Sequence, residues 1–239
     1  MRLPVWQWIL IWLALWVGGA AAAHYAVHGV VNGWHLAVSV FLAINILICI
    51  WEISLGAQIT NIERWHRERT KSARSEAQPS EVERDDPAAK AERPRGLLWT
   101  ARVTPGELAS TKLWARVWSE YARYDDGYAD RKSFGFSIDV GNGWSSLLPS
   151  LFFLVGMTAG YASPVVLGLV GALLFYQKLY CTVLYFFQYL FNRRYEGHSL
   201  ASVLAVVGGS NGIWIVFPAV GLYVCVRLVL EARYDLIWS

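Results

Sequence analysis

Charge in this chain is confined to one window. Fifteen of its 21 Lys and Arg residues and 13 of its 18 Asp and Glu residues lie between Gln58 and Lys132, and long stretches on either side carry almost none. A soluble domain has about a quarter of its residues charged; here the figure is 16%, with 55% apolar, over 239 residues. That balance excludes a soluble Rossmann, barrel or sandwich domain. It predicts an all-α integral membrane protein with five transmembrane helices and a cytoplasmic insert, made of a linker plus an interfacial amphipathic helix.

A helix crosses the hydrocarbon core with about 20 apolar residues. Five windows qualify: Val5–Ala23, Leu36–Leu55, Phe136–Thr158, Pro164–Phe191 and Leu200–Leu230. The first also fits a secretory signal, with Arg2 ahead of it and Ala21-Ala22-Ala23 as the cleavage pattern. Its length, and Trp8, Trp12 and Trp16 along one face, favour a retained helix with a belt and packing role. Lys and Arg asymmetry sets orientation. The insert and the Arg193-Arg194 connection are basic, whereas His24–His35 and Ala159–Ser163 carry no Lys or Arg. The insert and the N-terminus are therefore expected in the cytoplasm. The host membrane is a bacterial inner membrane or the endoplasmic reticulum.

The chain divides into residues 1–56, the first two spans; 57–103, a charged and largely flexible linker; 104–132, an interfacial helix and turn; 133–232, the other three spans; and 233–239, a tail. Ser72–Gly96 has almost no large apolar residue with which to offset its ordering entropy. Thr104-Pro105-Gly106-Glu107 reads as a capping box. Behind it, Leu108, Leu113, Trp114, Val117, Trp118 and Tyr121 form an apolar stripe suited to the membrane surface, or else to a small soluble helical hairpin.

Ionisable groups inside spans are costly and usually face a cavity or the bundle interior. Glu52, Asp139 and Lys178 are such groups, while Arg227 near a span end is placed to snorkel. Asp139 opens Asp139-Val140-Gly141-Asn142-Gly143-Trp144, whose glycines admit a ligand or a neighbouring helix. Asn211 and Trp214 share a helix face ahead of Pro218, and Gln177, Tyr180, Cys181, Leu184 and Gln188 make a polar-tinged face. At 1.5 Å rise per residue, Glu52 and Asp139 come out roughly 5 Å inside the core and Tyr180 and Asn211 about 15 Å. Two readings follow. Either these groups line one cavity, or Asp139, Lys178 and Asn211 bond across helices as packing contacts.

The same residues resemble a family. From about Leu113 to Leu230 the order of elements is similar to the emopamil-binding proteins, the sterol Δ8–Δ7 isomerases of the EXPERA superfamily. Leu113-Trp114 with Glu120-Tyr121-Ala122 resembles the family's aromatic-acidic stretch. Asp139, ahead of Leu148-Pro149-Ser150-Leu151, sits where the family has a catalytic glutamate. Tyr180 with Val183-Leu184-Tyr185-Phe186 is similar to its fourth-helix signature, and Asn211-Gly212-Ile213-Trp214 with Pro218 to its Asn-x-x-Trp-x-x-x-Pro motif. The family's second-helix His-x-x-x-Glu appears here as Ile48 and Glu52, and Lys178 stands where the family has an uncharged residue.

The resemblance implies catalytic roles for Glu52, Asp139, Asn211 and Trp214, and substrate contacts from Tyr180, Trp144, Tyr185 and Lys178. The chemistry suits the residue types independently. Shifting a carbon–carbon double bond needs an acid, a base and shelter for a carbocation between them. Low dielectric favours a neutral carboxyl, a nearby cation favours a carboxylate, and Trp and Tyr faces stabilise positive charge.

The expected ligand is a sterol, a terpenoid or another lipid, and the expected activity isomerisation. The alternatives are a non-catalytic lipid-binding protein on the same scaffold or a membrane terpenoid cyclase. A net charge of +3 argues against nucleic acid. The partners are then the bilayer and, as a candidate, a second copy in a homodimer. No cofactor and no metal is expected. His24 and His28 have helical ligand spacing without a deep partner, and Asp125-Asp126-Gly127-Tyr128-Ala129-Asp130 lacks the spacing of a diphosphate motif. Cys49, Cys181 and Cys225 read as small buried hydrophobes.

Overall fold

A computed structural model describes residues 1–77, with side chains to residue 73, and residues 96–239. The described chain is almost wholly helical: α1 (Val5–His28), α2 (Gly33–Ala77), α3 (Thr111–Tyr121), α4 (Phe134–Ala159), α5 (Pro164–Phe191), α6 (Leu200–Glu231) and the short α7 (Asp235–Trp238). Within α6 the turn Val203–Gly208 is a π-helix.

Among the described residues, α1, α2, α5 and α6 are long and apolar enough to cross a membrane, which is compatible with a multi-pass membrane protein. That is four helices, one fewer than the five spans expected. The exception is α4, 26 residues long, in which Asp139, Asn142 and four serines dilute the apolar residues. Large apolar side chains such as Leu15, Leu173, Leu204 and Leu230 stand exposed on the outside of the bundle.

Helix boundaries follow local signals. Ser133 and Ser163 cap α4 and α5 by accepting from the amides of Phe136 and Val166, and Pro164 occupies the first turn of α5. Gly29 and Gly160 end α1 and α4 in the left-handed conformation, at φ 74° and 68°.

The second helix departs most from expectation. It continues past Leu55 to Ala77, so the region assigned to a linker from residue 57 begins as helix, and residues 78–95 of that linker lie outside the described residues. The physical reason is visible in its sequence. Leu55, Ile59, Ile62 and Trp65 prolong one apolar stripe, all buried, while the intervening Glu, Arg and Lys residues are good helix formers.

What that stripe packs against is the insert. The apolar face of α3 is turned onto α2 rather than left for the membrane surface. Trp114 stacks on Trp51 at 5.4 Å and the Trp118 indole donates to the Trp51 carbonyl at 2.7 Å. The helix starts at Thr111, later than the capping box implied, because Gly106–Ala109 is a separate 3₁₀ turn. A two-residue antiparallel pairing (β1, Leu3–Pro4; β2, Arg102–Val103) fastens the insert to the start of α1. Trp8 adds a hydrogen bond to the Val103 carbonyl at 3.1 Å, and Trp12 one to the Ala43 carbonyl at 2.9 Å.

Helices α2 and α4 approach closely because a glycine stands at the crossing. A Cβ on Gly143 would lie 2.8 Å from Glu52 Cβ and 3.0 Å from the Cys49 carbonyl and the Ile53 amide. The other glycine of that motif, Gly141, faces open space. Asn45 donates to Ser150 across the same interface at 2.7 Å.

The crossing and the insert can each be tested by one substitution. Gly143→Ala should cost about 1–3 kcal/mol, the range for overpacking against atoms that cannot yield, read as a lower Tm in detergent. In the insert, the Glu107 carboxylate accepts from the Thr104 amide and hydroxyl and pairs with Arg2 at 2.9 Å. These contacts, the Thr104 amide foremost, hold it down to about 2 from an ordinary 4.5. A carboxyl lowered on folding adds stability above its ordinary value and loses that contribution as pH falls toward its folded one. The Tm difference between wild type and Glu107→Gln should therefore be present at neutral pH and vanish between about pH 4.5 and 2.

Candidate functional site

Two apolar clusters are buried in the bundle. One cluster gathers Phe41, Leu42, Ile46, Phe153, Phe175 and Leu228, the other Leu55, Ile62, Trp65, Trp114 and Tyr189. A cavity of about 300 Å³ is lined by residues of α2, α3, α4, α5 and α6. That size suits a small molecule.

Its charged centre is a buried pair. Lys178 Nζ of α5 lies 3.5 Å from Glu52 Oε2 of α2, with the two side chains 4% and 6% exposed. The ammonium also sits 5.6 Å from the centre of the Trp214 ring. Glu52 Oε2 makes no hydrogen bond among the described residues. Asp139 of α4 faces the same cavity, within electrostatic reach of Lys178 and of the Tyr128 hydroxyl.

A chain of polar groups runs along another wall. Asn211 donates to the Tyr121 hydroxyl at 2.9 Å and to the Val207 carbonyl at 2.8 Å, and the Tyr121 and Tyr185 hydroxyls are 3.0 Å apart. The π-turn immediately precedes this position. Within Val203–Gly208 the hydrogen bonds run i→i+5, and the Val207 carbonyl of that turn accepts from the Asn211 side chain.

Of the residues singled out from the sequence, Glu52, Asp139, Lys178, Tyr185, Asn211 and Trp214 share this cavity. Tyr180 and Trp144 do not. They are 49% and 68% exposed, and Tyr180 stacks on Tyr176 instead. Helix geometry explains both. Tyr180 is two residues beyond Lys178, and Trp144 five beyond Asp139, offsets of about 200° and 140° around a 3.6-residue helix. The cavity takes Lys178, Cys181, Thr182 and Tyr185 from α5, whereas Gln177 reaches sideways to Asn142 and Ser145, both at 2.8 Å.

Sequence reasoning misses the share of the insert. Trp118 and Tyr121 of α3 and Tyr128 of the following turn line the cavity alongside Trp51. A signal for them exists, since indole and hydroxyl-bearing rings recur on one apolar stripe, but such a stripe suits a lipid-facing surface equally well.

At the other end of the molecule His35 joins His24 and His28, its ring centre 4.0 Å from that of His24. These imidazoles are engaged by backbone and hydroxyl oxygens. His24 meets the Val30 and Ile237 carbonyls at 3.0 and 2.8 Å, His28 the Thr158 carbonyl at 3.0 Å and His35 the Thr158 hydroxyl at 2.9 Å. Among the described residues no group of His, Cys, Asp and Glu is arranged to hold a metal ion.

No family model matches the chain, and no curated protein or solved structure is significantly similar to it.

The wall of hydroxyls acts as one unit. Tyr121→Phe and Asn211→Leu should each cost about 1–3 kcal/mol by stranding a buried polar partner. The double variant should cost clearly less than the sum, as measured by unfolding in detergent.

Proposed function

We propose that the chain is an intramembrane isomerase-like enzyme that shifts a carbon–carbon double bond in a sterol or related polycyclic terpenoid. Its scaffold is of the emopamil-binding-protein type, crossing the membrane five times with α4 as the polar-lined span and the insert on the cytoplasmic side. The observation that carries this reading is the presence of two carboxyl groups, Glu52 and Asp139, on one aromatic-walled cavity.

The reaction needs one proton delivered and another removed. Glu52, fixed against the Lys178 ammonium, is the carboxylate and takes the proton away. Asp139, on the same cavity, delivers one. Between the two steps the substrate carries positive charge, which the faces of Trp214 and neighbouring rings stabilise. Asn211 holds the Tyr121 hydroxyl in the wall and so shapes the substrate's seat.

One observation favours a second reading, a protein that binds such lipids without transforming them. The Lys178 ammonium already occupies the place beside Trp214 where a carbocation would be stabilised. Incubating the purified protein with a Δ8 sterol separates the two. For the enzyme, turnover is seen in wild type and abolished in Asp139→Asn, with lipid binding retained. Unchanged turnover in Asp139→Asn refutes the acid and base roles of Asp139 and Glu52, and binding without turnover in wild type selects the second reading.

A further inference from the structure

Lys178 is the one buried lysine among the described residues; Lys71, Lys112 and Lys132 are exposed. Among the described residues its ammonium, a donor of three N–H groups, has a single ion-pair partner, Glu52 Oε2, which itself accepts no hydrogen bond there. Around the pair lies space bounded by aromatic rings and by Ile48, Ile138 and Ile213. Desolvation in an apolar pocket favours the neutral amine, the nucleophile for carbonyl carbon, and the adjacent carboxylate is placed to take its proton.

We propose that Lys178 is a Schiff-base lysine that takes an apolar aldehyde or ketone into covalent linkage within the cavity. Glu52 accepts one proton from the ammonium, and the freed lone pair on Nζ attacks the carbonyl carbon. A C–N bond forms and the C=O π pair moves to oxygen, which receives one of the two protons left on nitrogen. The carbinolamine then expels its hydroxyl as the C=N bond forms. Glu52 returns its proton to that hydroxyl, which leaves as water. Nothing is oxidised or reduced, and the positive charge remains on Nζ beside the same carboxylate. The product keeps its ion pair, because a protonated imine retains one N–H donor for the Glu52 carboxylate. This step requires the cavity but not the double-bond chemistry assigned to it, since an alkene substrate need carry no carbonyl.

The test is to incubate the purified full chain in detergent with farnesal, an apolar terpenoid aldehyde, and sodium cyanoborohydride, followed by intact mass and peptide mapping. The expected result is one reduced adduct per chain, on Lys178, lost in Lys178→Arg, which keeps a cation opposite Glu52, and formed more slowly in Glu52→Gln. Label confined to the other lysines of the chain, Lys71, Lys90, Lys112 and Lys132, or no label at all, would overturn the proposal. The wild-type peptide map reads the site by itself, so the outcome stands even if a variant fails to fold.

Discussion

The arrangement depends on one ion pair held inside a helix bundle. Lys178 and Glu52 come from helices far apart in sequence, and neither charge is stable alone in a low-dielectric interior. Holding them 3.5 Å apart fixes the rotation of α5 against α2, and that rotation decides which residues reach the cavity. With Lys178 turned inward, Cys181, Thr182 and Tyr185 follow it and Tyr180 is carried to the outside. Gly143 performs the same service for α4, since only a residue without a side chain lets that helix lie against the backbone of α2 at Glu52 and bring Asp139 to the pair.

The insert completes what the long helices begin. Three long helices and α4 would leave the cavity open on the side of α3. Trp118, Tyr121 and Tyr128 close that side with rings, and Tyr121 joins the wall to Asn211 through a hydrogen bond. The short strand pairing and the Trp8 contact fasten the insert at the start of α1. The charged window is thus part of the site rather than an accessory to it. The proposed proton transfer between two carboxyl groups and the proposed covalent capture by an amine call on the same geometry, because both need a reactive group that is desolvated and charge-balanced.

Much of this is legible from hydrophobic length and from misplaced charge. The apolar runs mark four long helices within a few residues at most ends, and the three ionisable residues singled out from the sequence, Glu52, Asp139 and Lys178, are found at the cavity. What escapes the sequence has one cause. An amphipathic stripe announces that a helix has a partner but does not say which, so the stripes from Leu55 to Trp65 and from Trp114 to Tyr121 do not reveal that they bury one another. Likewise Trp144 and Tyr180 lie close in sequence to charged residues, but the angle around the helix is the quantity that decides where they point. The mean hydropathy of α4 is lowered by the very residues that face the cavity and the α2 interface, so composition alone understates that helix.

The most direct measurement is a double-mutant cycle on Glu52 and Lys178, read as unfolding free energy in one detergent. If the pair organises the bundle, Lys178→Met and Glu52→Gln should each cost about 3–5 kcal/mol by stranding a buried charge, and the double variant should regain most of that loss. Single losses below about 1 kcal/mol that simply add would place both groups in water and contradict the organising role of the pair.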